Sequence, residues 1–576
     1  VKNGILILCA IMICVSGCFH TAQQQSPNSE ATKKADLTVF HVNDTHSQFE
    51  SVPLALEING RKTYIKSGGI ELLSGLLRNE HRPDAQNRKQ SLLLHAGDSF
   101  QGTLYFNLYK GEVEAKLLPV LGIDAMAIGN HEFDLKNPIL QKFVQSSQLP
   151  IVAANIRFAA GDLLKDKIKP YVIREVNGQR YAIIGLTTPE TKFLSQPDQE
   201  TMFSDAVKSA QKVIADLQKQ NIRRILLLTH MGYHEDLKLA EQLEEVDAII
   251  GGHSHTLLGD FAELGLKPEG SYPTLIKGKS GQTVCVGQAF EKTKAIGRLE
   301  LYFDDRDAVL HCGGSARIVA ERNLYDKDGT GRLIPIEGAL QKELLTKLEA
   351  TGRIAFATAD RHVTALFAPY AEKVDAYQNQ KIAEAKADLL HIRSPGIHPS
   401  GVKLMNGSEA MPLVTKAFFH KVAGQTAVDG VIVNTGMLRK DILKGPITVK
   451  DVFELLPFEN ELVIVTMKAR DAAQVIDAAL DKGGGYPYLY NLKVDANTSQ
   501  KKGRRVAALY VRKNQKWRKT RPDMLLKIIM PSYLVDGGDD YKVAPVGKPV
   551  HTGIKDSDAL MDYLTQHPVI DKVSEP

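Results

Sequence analysis

From Leu37 to about Phe303 the chain alternates two apolar patterns, and that alternation limits the fold more than any other feature. Short β-rich runs occur at Leu37–Val42, Ser91–His95, Ala125–Ile128, Ile151–Ala154, Tyr181–Leu186, Arg224–Leu228 and Asp247–Ile250. Amphipathic stretches of helical period, such as Ile70–Asn79, Glu112–Leu121 and Asp205–Gln220, lie between them. Strand alternating with helix predicts a layered α/β fold. In such folds ligand sites lie beyond the carboxyl ends of the strands. Residues far apart in sequence then meet along one edge.

Five polar clusters sit at those ends. They are Asn43-Asp44-Thr45-His46, Gly97-Asp98, Gly129-Asn130-His131-Glu132-Phe133-Asp134, Thr229-His230 and Gly251-Gly252-His253-Ser254-His255. Asp44 and His46 are two apart, so a near-extended backbone would point both side chains the same way. Asp98 can offer two oxygens to two ions, Asn130 a neutral carbonyl oxygen, and His230, His253 and His255 nitrogens. A mixed oxygen and nitrogen set suits Zn, Mn, Fe or Co better than Mg or Ca. Two such ions some 3.5–4 Å apart can activate a water and clamp a phosphoryl oxygen. One histidine or one Gly-Asp turn would mean little; five clusters, each behind a strand of one domain, point to a metal centre.

Composition agrees with a globular chain. Of 576 residues, 43% are hydrophobic and 24% charged, with 45 Gly and 25 Pro. These values exclude a disordered, collagenous or disulfide-scaffold protein. There is one long apolar run, which excludes a polytopic membrane protein. The net charge of +5 gives no reason to expect a nucleic-acid partner. The length suggests more than one domain at roughly 150 residues each.

The long run, Ile5–Val15 behind Lys2, is too short to span a bilayer and fits a signal-peptide core. Val15-Ser16-Gly17-Cys18 resembles a bacterial lipobox, which predicts cleavage after residue 17 and lipidation of Cys18. Residues 18–36 are polar and read as a tether. The expected location is the bacterial cell envelope, on a lipid anchor. Cys285 and Cys312 remain; an oxidising envelope permits a bridge between them, and two separate buried thiols fit the sequence equally well.

Residues 365–379 read as a linking helix. A second unit over 380–564 mixes helices (Ile382–His391, Ala410–Val422, Asp471–Leu480) with late strands (Val431–Asn434, Leu462–Met467, Val506–Val511, Met524–Met530), before a tail at 565–576. Lys501–Arg521 holds ten Lys or Arg and no acid. It reads as a solvated hairpin turning at Lys513-Asn514-Gln515, with Trp517 packed on it.

The cluster order resembles the calcineurin-like metallophosphoesterases. Three strings, Gly97-Asp98-Ser99-Phe100-Gln101-Gly102-Thr103, Gly129 to Asp134, and Tyr533-Leu534-Val535-Asp536-Gly537-Gly538-Asp539, resemble the secreted 5′-nucleotidase and UDP-sugar hydrolase family. The resemblance implies a four-layered α/β/β/α metallophosphoesterase domain over 37–364, followed by an α+β substrate-binding domain that rotates to deliver substrate. It implies that Asp44, His46, Asp98 and His255 hold one ion. Asp98, Asn130, His230 and His253 hold the other. His131, paired with Asp134, faces the phosphoryl oxygen. His255 departs from the family, where Gln or Asn is frequent.

For the substrate the resemblance implies a loop at Asn434 with a phosphate-binding Arg439. It also implies a stacking loop with Phe458 and Asn460, a second aromatic at Tyr533, ribose binding by Asp539, and close backbone approach at Gly484 and Gly485. The family has two further phosphate arginines; here only Lys403 and Arg393 stand near. The implied activity is hydrolysis of nucleoside 5′-phosphates, and of UDP-sugars or NAD at the pyrophosphate, with two divalent ions (Zn, Mn or Co). The alternatives are a 2′,3′-cyclic-nucleotide phosphodiesterase or other anionic-ester hydrolase on the same scaffold, and a non-catalytic surface binding protein. Oligomeric state is left open.

Overall fold

A computed structural model describes residues 35–81, 89–328, 331–458 and 460–572. The expected signal peptide and Cys18 lie outside the described residues. Among the described residues no helix is long and apolar enough to cross a membrane.

Two sheets form the first part of the molecule. The ten-stranded sheet runs Val52–Ile58, Arg61–Ser67, Val309–Lys327, Ala295–Phe303, Leu37–Val42, Ser91–His95, Ala125–Ala127, Ile151–Val152, with two short strands added to Val309–Lys327. Its last four strands are mutually parallel. The six-stranded sheet runs Thr274–Lys277, Thr283–Gly287, Ala248–Ile250, Arg224–His230, Gln179–Thr187, Tyr171–Val176, with the middle four parallel.

The side-chain period of two explains the layering. Leu37, Val39, Leu92 and Leu94 face Ile183, Leu226, Leu228 and Ile250 between the sheets. Phe40, Val42 and Leu93 face the other way, onto helices Ile70–Glu80 and Lys136–Ser147. On the far side, Ile184, Leu227 and Ile249 pack against helix Ala206–Lys219. Both faces of each parallel strand are buried, so these strands read as continuous apolar runs. Each fully buried Leu, Ile or Val contributes about 1.5–3 kcal/mol by leaving water. The result is the four-layered α/β/β/α arrangement. Cys285 on one sheet and Cys312 on the other are bridged, with Cα atoms 6.4 Å apart.

The helix expected at 365–379 starts earlier and spans Arg361–Gln378. Asp360 is the reason: its carboxylate accepts from His362 N at 2.9 Å and caps the first turn. Val363, Phe367 and Val374 seat this helix in the core of the ten-stranded sheet's outer face.

The C-terminal part is α+β. A five-stranded sheet runs Pro487–Tyr490, Gly430–Asn434, Leu525–Pro531, Glu461–Lys468, Val550–Lys555. Helices Met411–Ala423 and Asp556–Gln566 cover one face and Ala469–Ala479 the other. Where a tail was expected from 565, the helix continues to Gln566 and strand Val569–Ile570 pairs in parallel with Lys381–Ala385. The basic segment forms the hairpin Val506–Lys513 and Lys516–Lys519. Asn514 and Gln515 at its tip both take positive φ, the tight hairpin turn. Trp517 is 40% exposed and lies opposite Arg512.

Candidate metal centre

The carboxyl edges of five parallel strands bring the clusters together. Two groups form, Asp44 with His46 and His255, and Asp98 with His230 and His253; within each, the possible ligand atoms lie within 4.8 Å of one another. The convergence of Asp44 and His46 does not come from an extended strand. Asp44, His46 and Ser47 have φ of 49°, 48° and 52°. The chain leaves the sheet in a left-handed turn, held because Asp44 N, His46 N and Ser47 N donate to the carbonyls of Gly97, Asp98 and Ser99. Asp98, His253 and His255 are left-handed too, at 54°, 75° and 54°. Such backbone persists where surroundings over-determine it, and it clusters at functional sites. Gly129 lets the loops close: a Cβ there would meet Asp98 Oδ1 at 2.0 Å.

The donor set tests whether ions fit. His46 and His230 give Nδ1 to the carbonyls of Phe100 (3.0 Å) and Ala96 (2.7 Å), leaving each Nε2 facing inward. His46 Nε2 and His255 Nε2 then stand 3.0 Å apart, and His255 Nε2 lies 3.4 Å from Asp44 Oδ1. His230 Nε2 is 2.8 Å from Asp98 Oδ2 yet has no hydrogen-bond partner, and the buried Asn130 Oδ1 has none either. Inward nitrogens and an orphaned amide oxygen around two buried carboxylates are what divalent ions satisfy. Burial alone would raise both carboxyls. In the ion-free centre protonated His230 and His131 outweigh it and hold Asp98 well below the usual range, and His255 and His230 lower Asp44.

His131 stands beside the second group. Its N–H donates to Asp98 Oδ1 at 2.9 Å, and its Nδ1 bonds Asp134 Oδ2 at 2.6 Å. Burial pulls its pKa down, but the carboxylates of Asp134 and Asp98 prevail and raise it to about 9. Two neighbours escaped the sequence reading. Ser195 Oγ donates to Asp134 Oδ1 at 2.7 Å, and the Lys555 charge acts on both His131 and Asp134.

Glu132 also escaped it. Its carboxylate accepts from the backbone N–H of Asp98 (3.0 Å), Ser99 (2.7 Å), Phe100 (3.3 Å) and Gly129 (2.7 Å), and from Ser99 Oγ (2.9 Å). One buried side chain thus pins two loops of the centre. Glu132→Gln would turn an amide N–H toward donors. We expect it to cost about 1–3 kcal/mol per donor left unpaired, read as a fall in denaturation midpoint; an unchanged midpoint would contradict this account.

In the C-terminal part most of the expected substrate residues assemble. Arg439 lies 4.6 Å over the Phe458 ring. Tyr533 Oη donates to Asp539 Oδ1 at 3.0 Å, and Asn434 Nδ2 to Asp539 Oδ2 at 2.8 Å. Gly436 N donates to Gly484 O at 2.6 Å, and Thr435 Oγ1 to Arg393 O at 2.6 Å. A Cβ on Gly484 would stand 3.9 Å from Arg393 Cδ, and one on Gly485 3.2 Å from Asp539 Cβ. Phe458 and Tyr533 are 50% and 47% exposed, so neither is core. Two expected residues stand otherwise. Lys403 sits exposed on the separate ribbon Gly396–Ile397 and Lys403–Leu404. Asn460 gives its Nδ2 to Asp556 Oδ2 at 3.1 Å, at the start of a helix.

Comparison with known proteins adds to this geometry. Residues 37–257 match the calcineurin-like phosphoesterase family model, and 397–545 match the 5′-nucleotidase C-terminal domain. The chain is 31% identical to the "Probable 5′-nucleotidase" of Treponema pallidum, over 92% of each chain. It resembles the solved Haemophilus influenzae NAD nucleotidase at 26% identity and TM-score 0.74, covering 94% of this chain and 98% of that one. A Thermus thermophilus 5′-nucleotidase precursor is 33% identical, with TM-score 0.61 and the same coverage.

Proposed function

The chain belongs to the 5′-nucleotidase family and is a metal-dependent phosphoester hydrolase, and from that premise we propose that it hydrolyses nucleoside 5′-phosphates at a two-ion centre. The observation that carries the proposal is the pair of buried ligand groups beside a histidine that is itself hinged on Asp98. Asp44, His46, Asp98 and His255 would hold one ion. Asp98, Asn130, His230 and His253 would hold the other. When bound, the ions supply an activated water and a clamp on the phosphoryl oxygens. His131 donates a proton-bearing nitrogen to the charge that builds on those oxygens, and Asp134 fixes its ring. Arg439 and Arg393 grip phosphate. Phe458 and Tyr533 stack the base, and Asp539 takes the ribose hydroxyls. Residues 37–364 form the catalytic domain and 380–564 the substrate domain.

NAD and UDP-sugars, cleaved at the pyrophosphate, are the second substrates we propose; support for NAD comes from the name of the Haemophilus relative, and for UDP-sugars from the family resemblance of the sequence strings. Zn, Mn or Co are the proposed ions, from the mixed donor set. We also propose export and a lipid anchor at Cys18, on the strength of the Ile5–Val15 run and the lipobox resemblance. Product analysis on AMP, UDP-glucose, NAD and 2′,3′-cyclic AMP tests the assignment: adenosine and phosphate from AMP, UMP and glucose 1-phosphate from UDP-glucose, AMP and nicotinamide mononucleotide from NAD, and adenosine 2′- or 3′-monophosphate from the cyclic ester. Turnover of AMP ahead of the cyclic ester is expected; opening of the cyclic ester alone would overturn it.

The base pocket has its own test. Stacking is worth ~1–3 kcal/mol per base and tolerates any base. Replacing Phe458 and Tyr533 together by Ala should raise KM for AMP about tenfold or more, with less change in kcat. KM for p-nitrophenyl phosphate, which lacks the ribose spacing, should move less. Equal losses on both substrates would remove these residues from the base site.

A further inference from the structure

We propose that Glu291 is the positioning residue that makes His255 a metal ligand, and that it sets the affinity of the Asp44–His46–His255 group separately from the other group. The inference rests on the metal-centre reading above. A neutral imidazole presents a lone pair at Nε2 only when its proton sits on Nδ1. His46 and His230 achieve this with backbone carbonyls, and packing holds their rings, whose side chains are 7% and 0% exposed. His255 lacks that support: its side chain is 37% exposed at the rim. Its Nδ1 instead lies 3.2 Å from Glu291 Oε2. A carboxylate on the outer nitrogen fixes tautomer and ring and raises ligand basicity.

Glu291 is itself held in place. Lys294 Nζ binds its Oε1 at 2.6 Å, and the carboxylate is 17% exposed. Around it, Phe290, Lys292 and Thr293 all adopt left-handed φ, at 57°, 52° and 57°. That turn is tied to Asn43 and to Asp44 itself: Asn43 Nδ2 donates to Phe290 O at 2.6 Å, and Lys292 N to Asp44 O at 2.7 Å. Gly69 N donates to Thr293 Oγ1 at 2.7 Å. Strained backbone kept by so many ties places one carboxylate behind one ligand.

Ion-free protein titrated with Mn and with Zn, followed by calorimetry and by metal analysis after desalting, reads the two ions without reference to turnover. Glu291→Gln should weaken one ion about 10–100-fold and leave the other within about threefold. In a His255→Gln background, Glu291→Gln should add no further loss. Lys294→Ala keeps the carboxylate but frees it, and should weaken the same ion by a smaller factor; this arm still reads the proposal if Glu291→Gln unfolds. Equal weakening of both ions, or a Glu291→Gln loss that persists without His255, would overturn the inference. Wild type binding two ions with Glu291→Gln unchanged overturns the inference alone, whereas wild type binding none overturns the metal-centre reading with it.

Discussion

Asp98→Asn should lose ions from both groups and cut AMP hydrolysis by on the order of 10⁴-fold or more. Asp98 is the ligand proposed to serve both ions: one oxygen stands 2.8 Å from His230 Nε2, and the other accepts the His131 backbone N–H. It is buried, and its charge is held by the surrounding histidines. An amide of the same size keeps the packing against Gly129 but removes the charge that both ions would share. The loss should therefore be chemical rather than structural. Asn removes the charge that His230 and His131 hold, so the ion-free variant should melt a few degrees below ion-free wild type, ~2–4 °C standing for about 1 kcal/mol in a large domain. Metal analysis, phosphate release and melting on one preparation decide it. A variant that keeps two ions would place the bridge elsewhere.

His131→Ala should lower kcat by about 10²–10³, the scale for one lost transition-state stabiliser, with ion content intact. Its ring bonds Asp134, not a ligand, and Asp134 is held in turn by Ser195. The pH dependence carries a sign. Asp134 and Asp98 raise His131 to about 9 against burial. Ions on Asp98 would cancel its share and leave that of Asp134. As a donor the His131 cation loses its effect as pH rises through its pKa. Wild-type kcat should fall on an alkaline limb below about 9, and His131→Ala should lack that limb. Departure of an ion with the mutation would make His131 a ligand instead.

The layered fold was legible because parallel strands buried on both faces must be apolar on both, as Val39-Phe40 and Leu92-Leu93-Leu94 are. The ligand types were legible because each ends such a strand. What brings them together was not. The period-two argument for Asp44 and His46 fails because the chain turns left-handed at both, a conformation set by backbone bonds to a loop some 50 residues on. Glu132, Ser195 and Glu291 act through contacts that residue type does not announce, and Glu291 lies 36 positions beyond the histidine it faces. The bridge between Cys285 and Cys312 depends on the spacing of two sheets, which composition cannot supply. In the C-terminal part the resemblance named the loops, and the fold puts Arg393 beside Gly484 and Lys403 on a separate ribbon.

The most direct test of the central claim is phosphate release from AMP by protein stripped of ions and then titrated with Mn, Co or Zn. Stripped protein should give no release above background, and recovery should saturate at two ions per chain. Full activity in the stripped protein would contradict the claim.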